Sequence, residues 1–292
     1  MNATPSDVRQ FHDHSRHWRD FRYVYPVISR RARGLSIGIN LNPDKRCNWN
    51  CVYCQVDRTA APVVEHIDEQ RLFDELTCVV GDATTGTLWR EPSFVSTPHG
   101  LRLMRDFALS GDGEPTSYPR FAEILDRLLR FRKACGFERL PVTLFTNATL
   151  LHLSRVQAGL ALLSNATGRV WCKLDAGTES SFQRVNASRY SLEHCLNNIA
   201  ALGRQRPIEI QSMFMVYDGA PPPDEEIAAY IGRLAWLVEQ GTRIERVQLY
   251  TIARPTASQH CAVLDDDALE RLKLKINAGI PALNVESFSG AT

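Results

Sequence analysis

The sequence predicts an α/β fold on a parallel sheet, a partial (β/α)6 TIM-like barrel. From Ser36 onward, short apolar runs alternate with segments of helical period. Such alternation means parallel strands joined by helical crossovers. Six or seven units fall short of a closed eightfold barrel, and periodicity alone leaves a doubly wound sheet open. A second observation concerns the strand ends. Five predicted strands run into a polar or glycine-bearing turn: NPDKRC, SGDGEPT, TNAT, KLDAGT and ARPT. Active sites of parallel α/β folds collect at those carboxyl ends.

SIGINL (36–41) reads as the first strand, followed by a helix over about 68–80. RDFALSG (105–111) is the second strand. Pro119 then opens a helix whose stripe is Phe121, Ile124, Leu125, Leu128 and Leu129, with proline suited to the first turn. PVTLFTN (141–147) is a strand and 151–163 a helix. GRVWCKLD (168–175) is a strand, with helical pattern over 178–203. IEIQSMFMVY (208–217) follows as one strand. The next helix starts near Pro223 and Asp224, with a stripe of Ile227, Ile231, Leu234 and Val238. ERVQLYTI (245–252) is the sixth strand. The last helix starts at Asp265–Asp267, acids that suit an amino terminus, and carries Leu269, Leu272 and Ile276. LNVESF (283–288) closes the chain as a short strand. Residues 1–30 read as a basic N-terminal extension and 31–292 as the core domain, with an insertion at about 81–104.

Bulk composition excludes some functions. No apolar run among the 292 residues reaches the roughly 20 a membrane helix needs. The first residues, MNATPSDVRQFHDHSRHW, are polar and unlike a signal peptide. A cytoplasmic location, with reduced thiols, is expected. Net charge is +1, yet residues 1–58 hold ten Lys or Arg against five acids. That segment reads as solvated, or else as a patch for an anionic substrate or RNA backbone. No DNA partner and no membrane are expected.

The chemistry lies in CNWNCVYC, where Cys47, Cys51 and Cys54 have C-x3-C-x2-C spacing. Three thiolates on a short loop can hold one face of a metal cluster. Structural zinc wants four ligands, and no fourth Cys or His sits at a finger-like spacing. Three ligands on a four-iron cluster leave one iron open for a cofactor. The other five cysteines (78, 135, 172, 195, 261) lack such spacing and read as core or incidental thiols.

The motif, with aromatic Tyr53 before Cys54, resembles that of the radical S-adenosylmethionine superfamily. More narrowly, the chain is similar to stand-alone Fe–S oxidoreductases related to the radical enzyme of tRNA wybutosine synthesis. The matching stretches are VISRRARGLSIGINLNPDKRCNWNCVYCQVDRT, FALSGDGEPT, LFTNATLL, KLDAGTESSFQRVN and VQLYTIARPT. The resemblance implies a barrel of the radical SAM type, a 4Fe-4S cluster on the three cysteines, and bound S-adenosylmethionine. Reductive cleavage would give a 5′-deoxyadenosyl radical acting on a small molecule, an RNA base or a peptide. It also implies an external electron donor, flavodoxin- or ferredoxin-like. Tyr53 would lie against the adenine. Gly111, Gly113 and Glu114 would hold the methionine amino group, with Asn147 near the ribose or methionine unless it only caps a turn, and Arg254 at the nucleoside or substrate unless it is a surface residue. On the residues alone, Lys173 and Asp175 are either cofactor contacts or an internal ion pair. An ammonium independently wants acceptors such as Glu114 and turn carbonyls. Lys173 and Asp175 share a strand face. Ser110, Gln211 and Met213 are weaker candidates by position, and Trp89, Phe94 and His99 are candidates for a substrate entrance. No residue is assigned as catalytic. Competing readings are an Fe-S electron-transfer protein, a zinc-stabilised nucleic-acid module, and an activase that makes a radical on a partner protein.

Overall fold

A computed structural model describes residues 18–62 and 64–290. Residues 1–17 of the expected basic extension lie outside the described residues. Strands β1 (Val24–Ser29) and β2 (Gly34–Ile39) form an antiparallel hairpin. Parallel to β2 follow β3 (Met104–Leu109), β4 (Val142–Thr146), β5 (Gly168–Lys173), β6 (Ile208–Met213), β8 (Ile244–Tyr250) and β10 (Val285–Phe288). β7 (Met215–Tyr217) and β9 (Cys261–Val263) pair separately as a short ribbon. Helices α1 (Glu69–Thr85), α2 (Phe121–Ala134) and α3 (Ser154–Leu162) each join neighbouring strands. So do α4 (Glu179–Asn186) with α5 (Leu192–Gln205), α6 (Asp224–Glu239) and α7 (Asp266–Gly279). Strand order in the main sheet follows chain order throughout. A doubly wound sheet reverses its order midway. This one does not, and it curls into the expected half-barrel.

Period two sorts the side chains. Ile37, Phe107, Leu144, Val170, Ile210 and Leu249 are fully buried in the hydrophobic core. The opposite faces line the barrel interior and are polar. Ser36 and Thr143 donate to the two oxygens of Asp106, at 2.5 and 2.6 Å. Gln211 donates to Gln248 at 2.9 Å, and Arg246 pairs with Glu209 at 2.7 Å and Glu286 at 3.1 Å. Buried polar groups must find partners, and these find one another.

Several expectations change. Val24–Ser29, read as extension, is the first strand of the sheet; VYPVIS is apolar almost throughout and shows no alternation to mark it. Segment 208–217 is two strands. After Met213 the chain leaves the sheet, and Met215–Tyr217 pairs with β9. The helical stretch 178–203 breaks at Ala187, which adopts a left-handed conformation (φ 43°), and restarts at the Ser191 cap.

Residues 81–104 are no substrate entrance. α1 runs on to Thr85 and ends on Gly86 (φ 79°), and two short 3-10 turns follow. A connection from a helix to the next parallel strand lies at the amino end of the sheet, away from the expected site. Leu88 and Phe94 are buried there, and Phe94 meets Trp18 and Trp89 edge-on at 5.4 and 6.4 Å. Trp89 and Phe94 therefore belong to structure, and His99 is exposed at that same end. Leu88→Ala is expected to cost about 3 kcal/mol in urea unfolding; a mobile entrance loop would show almost no cost.

Candidate active site

Cys47, Cys51 and Cys54 stand in the connection between β2 and α1. All three are free thiols lining one cavity of about 300 Å³. The loop itself has no regular secondary structure, so its neighbours must hold it. Asn50 and Val52 donate their backbone N–H groups to the carbonyls of Asn186 and Val185, both at 2.9 Å, at the end of α4. Asn48 donates to Thr149 and accepts from Asn147 at 2.6 Å, after β4. Arg58 reaches the Asp112 carbonyl at 3.1 Å, after β3. The loop is thus pinned to the ends of three neighbouring strand–helix units.

Each sulfur accepts one N–H. Trp49 N lies 3.5 Å from Cys47 Sγ, Asn186 Nδ2 3.4 Å from Cys51 Sγ, and Arg58 Nη1 3.0 Å from Cys54 Sγ. Such donors are what thiolate ligands of a cluster require. Without metal, burial pushes the Cys47 thiol up to about 11 and the Cys51 thiol up to about 12. Metal binding must therefore displace protons. Among the described residues no three His, Cys, Asp or Glu side chains converge on one ion-sized point. Three thiols lining one cavity, each with its own N–H, fit a cluster that leaves one iron open.

The cavity gathers most of the expected residues. Tyr53, Ser110, Gly111, Gly113, Glu114, Asn147, Lys173 and Arg254 all line it with the three cysteines. Their individual settings differ from expectation. Glu114 is buried, and its carboxylate accepts from Thr116 N and Oγ1, Thr146 Oγ1 and Asn147 N, at 3.2, 2.5, 2.7 and 2.7 Å. Burial raises its pKa against those four donors. The acid holds β4 against its own loop, and the loop presents backbone to the cavity. Gly111 and Gly113 are required by protein contacts: a Cβ would fall 2.2 Å from Asn40 Oδ1 and 2.0 Å from the Arg46 carbonyl. Asn147 caps its own turn, accepting from Thr149 N at 3.2 Å, while its amide reaches Asn48.

Asp175 does not line this cavity. It accepts from the Tyr53 hydroxyl at 2.5 Å, Asn186 Nδ2 at 2.9 Å and Met213 N at 2.9 Å, and pairs with Lys173 at 2.8 Å. Burial opposes the Lys173 charge, but Asp175 and Tyr250 prevail and the ammonium is stabilised. Gln211 sits deeper on β6, and Met213 packs beside Tyr53 and Val52. Arg254 donates to Gln55 at 2.9 Å on the cluster loop. Cys172 and Cys195 are core thiols, as expected.

Sequence reasoning missed Arg58, Asn48 and Asn186. Asn48 lies inside the cysteine motif and Arg58 four residues beyond it. Asn186, by contrast, is distant in sequence, and only the break after α4 brings it to Cys51.

A family model for the Radical SAM superfamily matches residues 41–231. A UPF0026 protein of Helicobacter pylori is 25% identical over 248 residues, covering 84% of this chain and 70% of that protein. A second UPF0026 protein, from Synechocystis sp., is 28% identical, covering 67% and 65%. Among solved structures, Streptococcus suis SuiB bound to S-adenosylmethionine has a TM-score of 0.58 at 15% identity. That match covers 89% of this chain but 52% of SuiB, so the chain spans about half its length. TYW1 with a lysine-pyruvate adduct bound has a TM-score of 0.55 at 16% identity, covering 93% of this chain and 80% of TYW1. At such identities the structural likeness is one of fold. The family match runs from the cluster loop into α6, and on it the chain is an enzyme of the radical SAM superfamily, with a 4Fe-4S cluster and S-adenosylmethionine as cofactors.

Proposed function

We propose that this enzyme reductively cleaves S-adenosylmethionine and turns the product on a substrate held in the same cavity. The observation that carries this is three sulfurs, each with an N–H donor, opening on a cavity walled by the SGDGEPT loop, Tyr53 and Lys173. When bound, cluster and S-adenosylmethionine supply an electron and a 5′-deoxyadenosyl radical able to remove a hydrogen atom.

The chain supplies position. Cys47, Cys51 and Cys54 hold the cluster. Backbone at 111–113 offers acceptors to the methionine ammonium, and Glu114 keeps that backbone in place. Tyr53, fixed by Asp175, gives the adenine a rigid wall. Asn147 and Arg254 line the same cavity. Asp175 acts as a positioning residue. Lys173 is held as a cation by Asp175, which makes it a poor nucleophile. The lysine adduct seen with TYW1 is therefore not proposed for it. A flavodoxin- or ferredoxin-like protein is the proposed source of the electron. Small molecules, RNA bases and peptides remain the substrate classes.

Anaerobic reconstitution with iron and sulfide, then dithionite and S-adenosylmethionine, is expected to yield 5′-deoxyadenosine and methionine, and Cys51→Ala none. A wild-type protein that assembles its cluster but yields neither product refutes the reading and favours an electron carrier. The sulfur contacts give a second prediction. N–H donors stabilise the more negative, reduced cluster. Arg58→Met and Asn186→Ala should each lower its potential by about 60 mV, the equivalent of one lost hydrogen bond. A redox titration followed by electron paramagnetic resonance reads this; unchanged potentials would mean that the donors do not act on the cluster.

A further inference from the structure

Arg31 lies in the hairpin between β1 and β2 and lines the same cavity as the cysteines. The hairpin is at the amino end of β2, whereas the cluster loop leaves its carboxyl end. Arg31 thus approaches from the side opposite the cysteines. Its guanidinium carbon is 4.8 Å from the centre of the Tyr250 ring and 5.7 Å from those of Phe145 and Trp171. Aromatic faces from β4, β5 and β8 surround one cation. Its Nη1 is buried and has no hydrogen-bond partner among the described residues.

The charges nearby are committed elsewhere. Asp106 is taken by Ser36 and Thr143, and Glu209 by Arg246 and Gln248. Of the other cations lining the cavity, Lys173 has Asp175, Arg58 has Cys54 and the Asp112 carbonyl, and Arg254 donates to Gln55. Aromatic faces favour a cation but do not neutralise it. Asp106, Glu209 and the Tyr250 hydroxyl favour the Arg31 charge from nearby, yet none satisfies Nη1; a buried guanidinium so placed gains most from a bidentate anion. The Lys173 ammonium lies 4.6 Å from the centre of the same Tyr250 ring, adding positive charge to the same region.

We propose that Arg31 anchors an anionic group of the substrate, a carboxylate or a phosphate, at the end of the cavity remote from the cysteines. Resting on the enzyme reading above, this names a substrate class for that site, and its test needs no turnover. Thermal unfolding of the reconstituted enzyme would be followed in chloride, acetate or phosphate at one ionic strength, for wild type, Arg31→Lys and Arg31→Met. In chloride, Arg31→Met is expected to melt within about 2 °C of wild type or above it, because an unneutralised charge is replaced by an apolar chain. Wild type and Arg31→Lys should gain about 3 °C in acetate or in phosphate, and Arg31→Met nothing. The anion that acts identifies the group. An Arg31→Met enzyme that fails to fold, one that responds like wild type, or a wild type that responds to neither anion would each overturn the proposal. S-adenosylmethionine affinity, measured by calorimetry, should stay within about twofold in Arg31→Met. A tenfold loss would mean that Arg31 serves the cofactor, and would overturn it too.

Discussion

The site depends on the carboxylate of Asp175. An ionised carboxylate is acceptor-only, with about four lone-pair positions. Asp175 gives them to Tyr53, Asn186, Lys173 and the Met213 backbone, four groups on the cluster loop, α4, β5 and β6. Asn186 in turn meets the Cys51 sulfur. The position of one sulfur and one wall of the cavity therefore rest on a single buried acid, whose side chain is fully screened from solvent. Removing one member of such a network strands the others in a medium of low polarity.

Glu114 repeats the pattern on the other side of the cavity. Both acids look like ligand groups by residue type and strand position, and both are consumed by internal donors. Glu114 lines the cavity and Asp175 does not, but each fixes other groups that line it: backbone at 111–113 in one case, a phenol ring and an ammonium in the other. A site meant to bind a small charged cofactor gains more from fixed dipoles than from mobile side chains. Such economy also accounts for the polar groups of the barrel interior, where Ser36 and Thr143 satisfy Asp106, and Arg246 and Gln248 satisfy Glu209.

Much of this was legible beforehand. Parallel strands, their helices and the carboxyl-end site follow from local periodicity and turn chemistry, and the cysteine spacing is local by nature. Where the sequence misled, the cause was long-range. Val24–Ser29 has no alternation because it is buried on both faces. The 81–104 segment read as a substrate entrance because length alone does not say at which end of a barrel a loop lies; the chain order of α1 and β3 does. Asn186 and Arg31 lie in stretches that match the family, but nothing local assigns either a role. Asn186 meets a cysteine 135 residues away, and Arg31 gains meaning only from three rings on other strands.

The central claim is that three protein sulfurs hold a four-iron cluster whose remaining iron is open to S-adenosylmethionine. Electron–nuclear double resonance on the reduced cluster, with the cofactor labelled by 15N at its amino group and 17O at its carboxylate, tests that directly. Hyperfine coupling from both labels, lost when Cys51 is replaced by alanine, is the predicted result. A cluster that assembles with four protein ligands and shows no coupling to either label would contradict it.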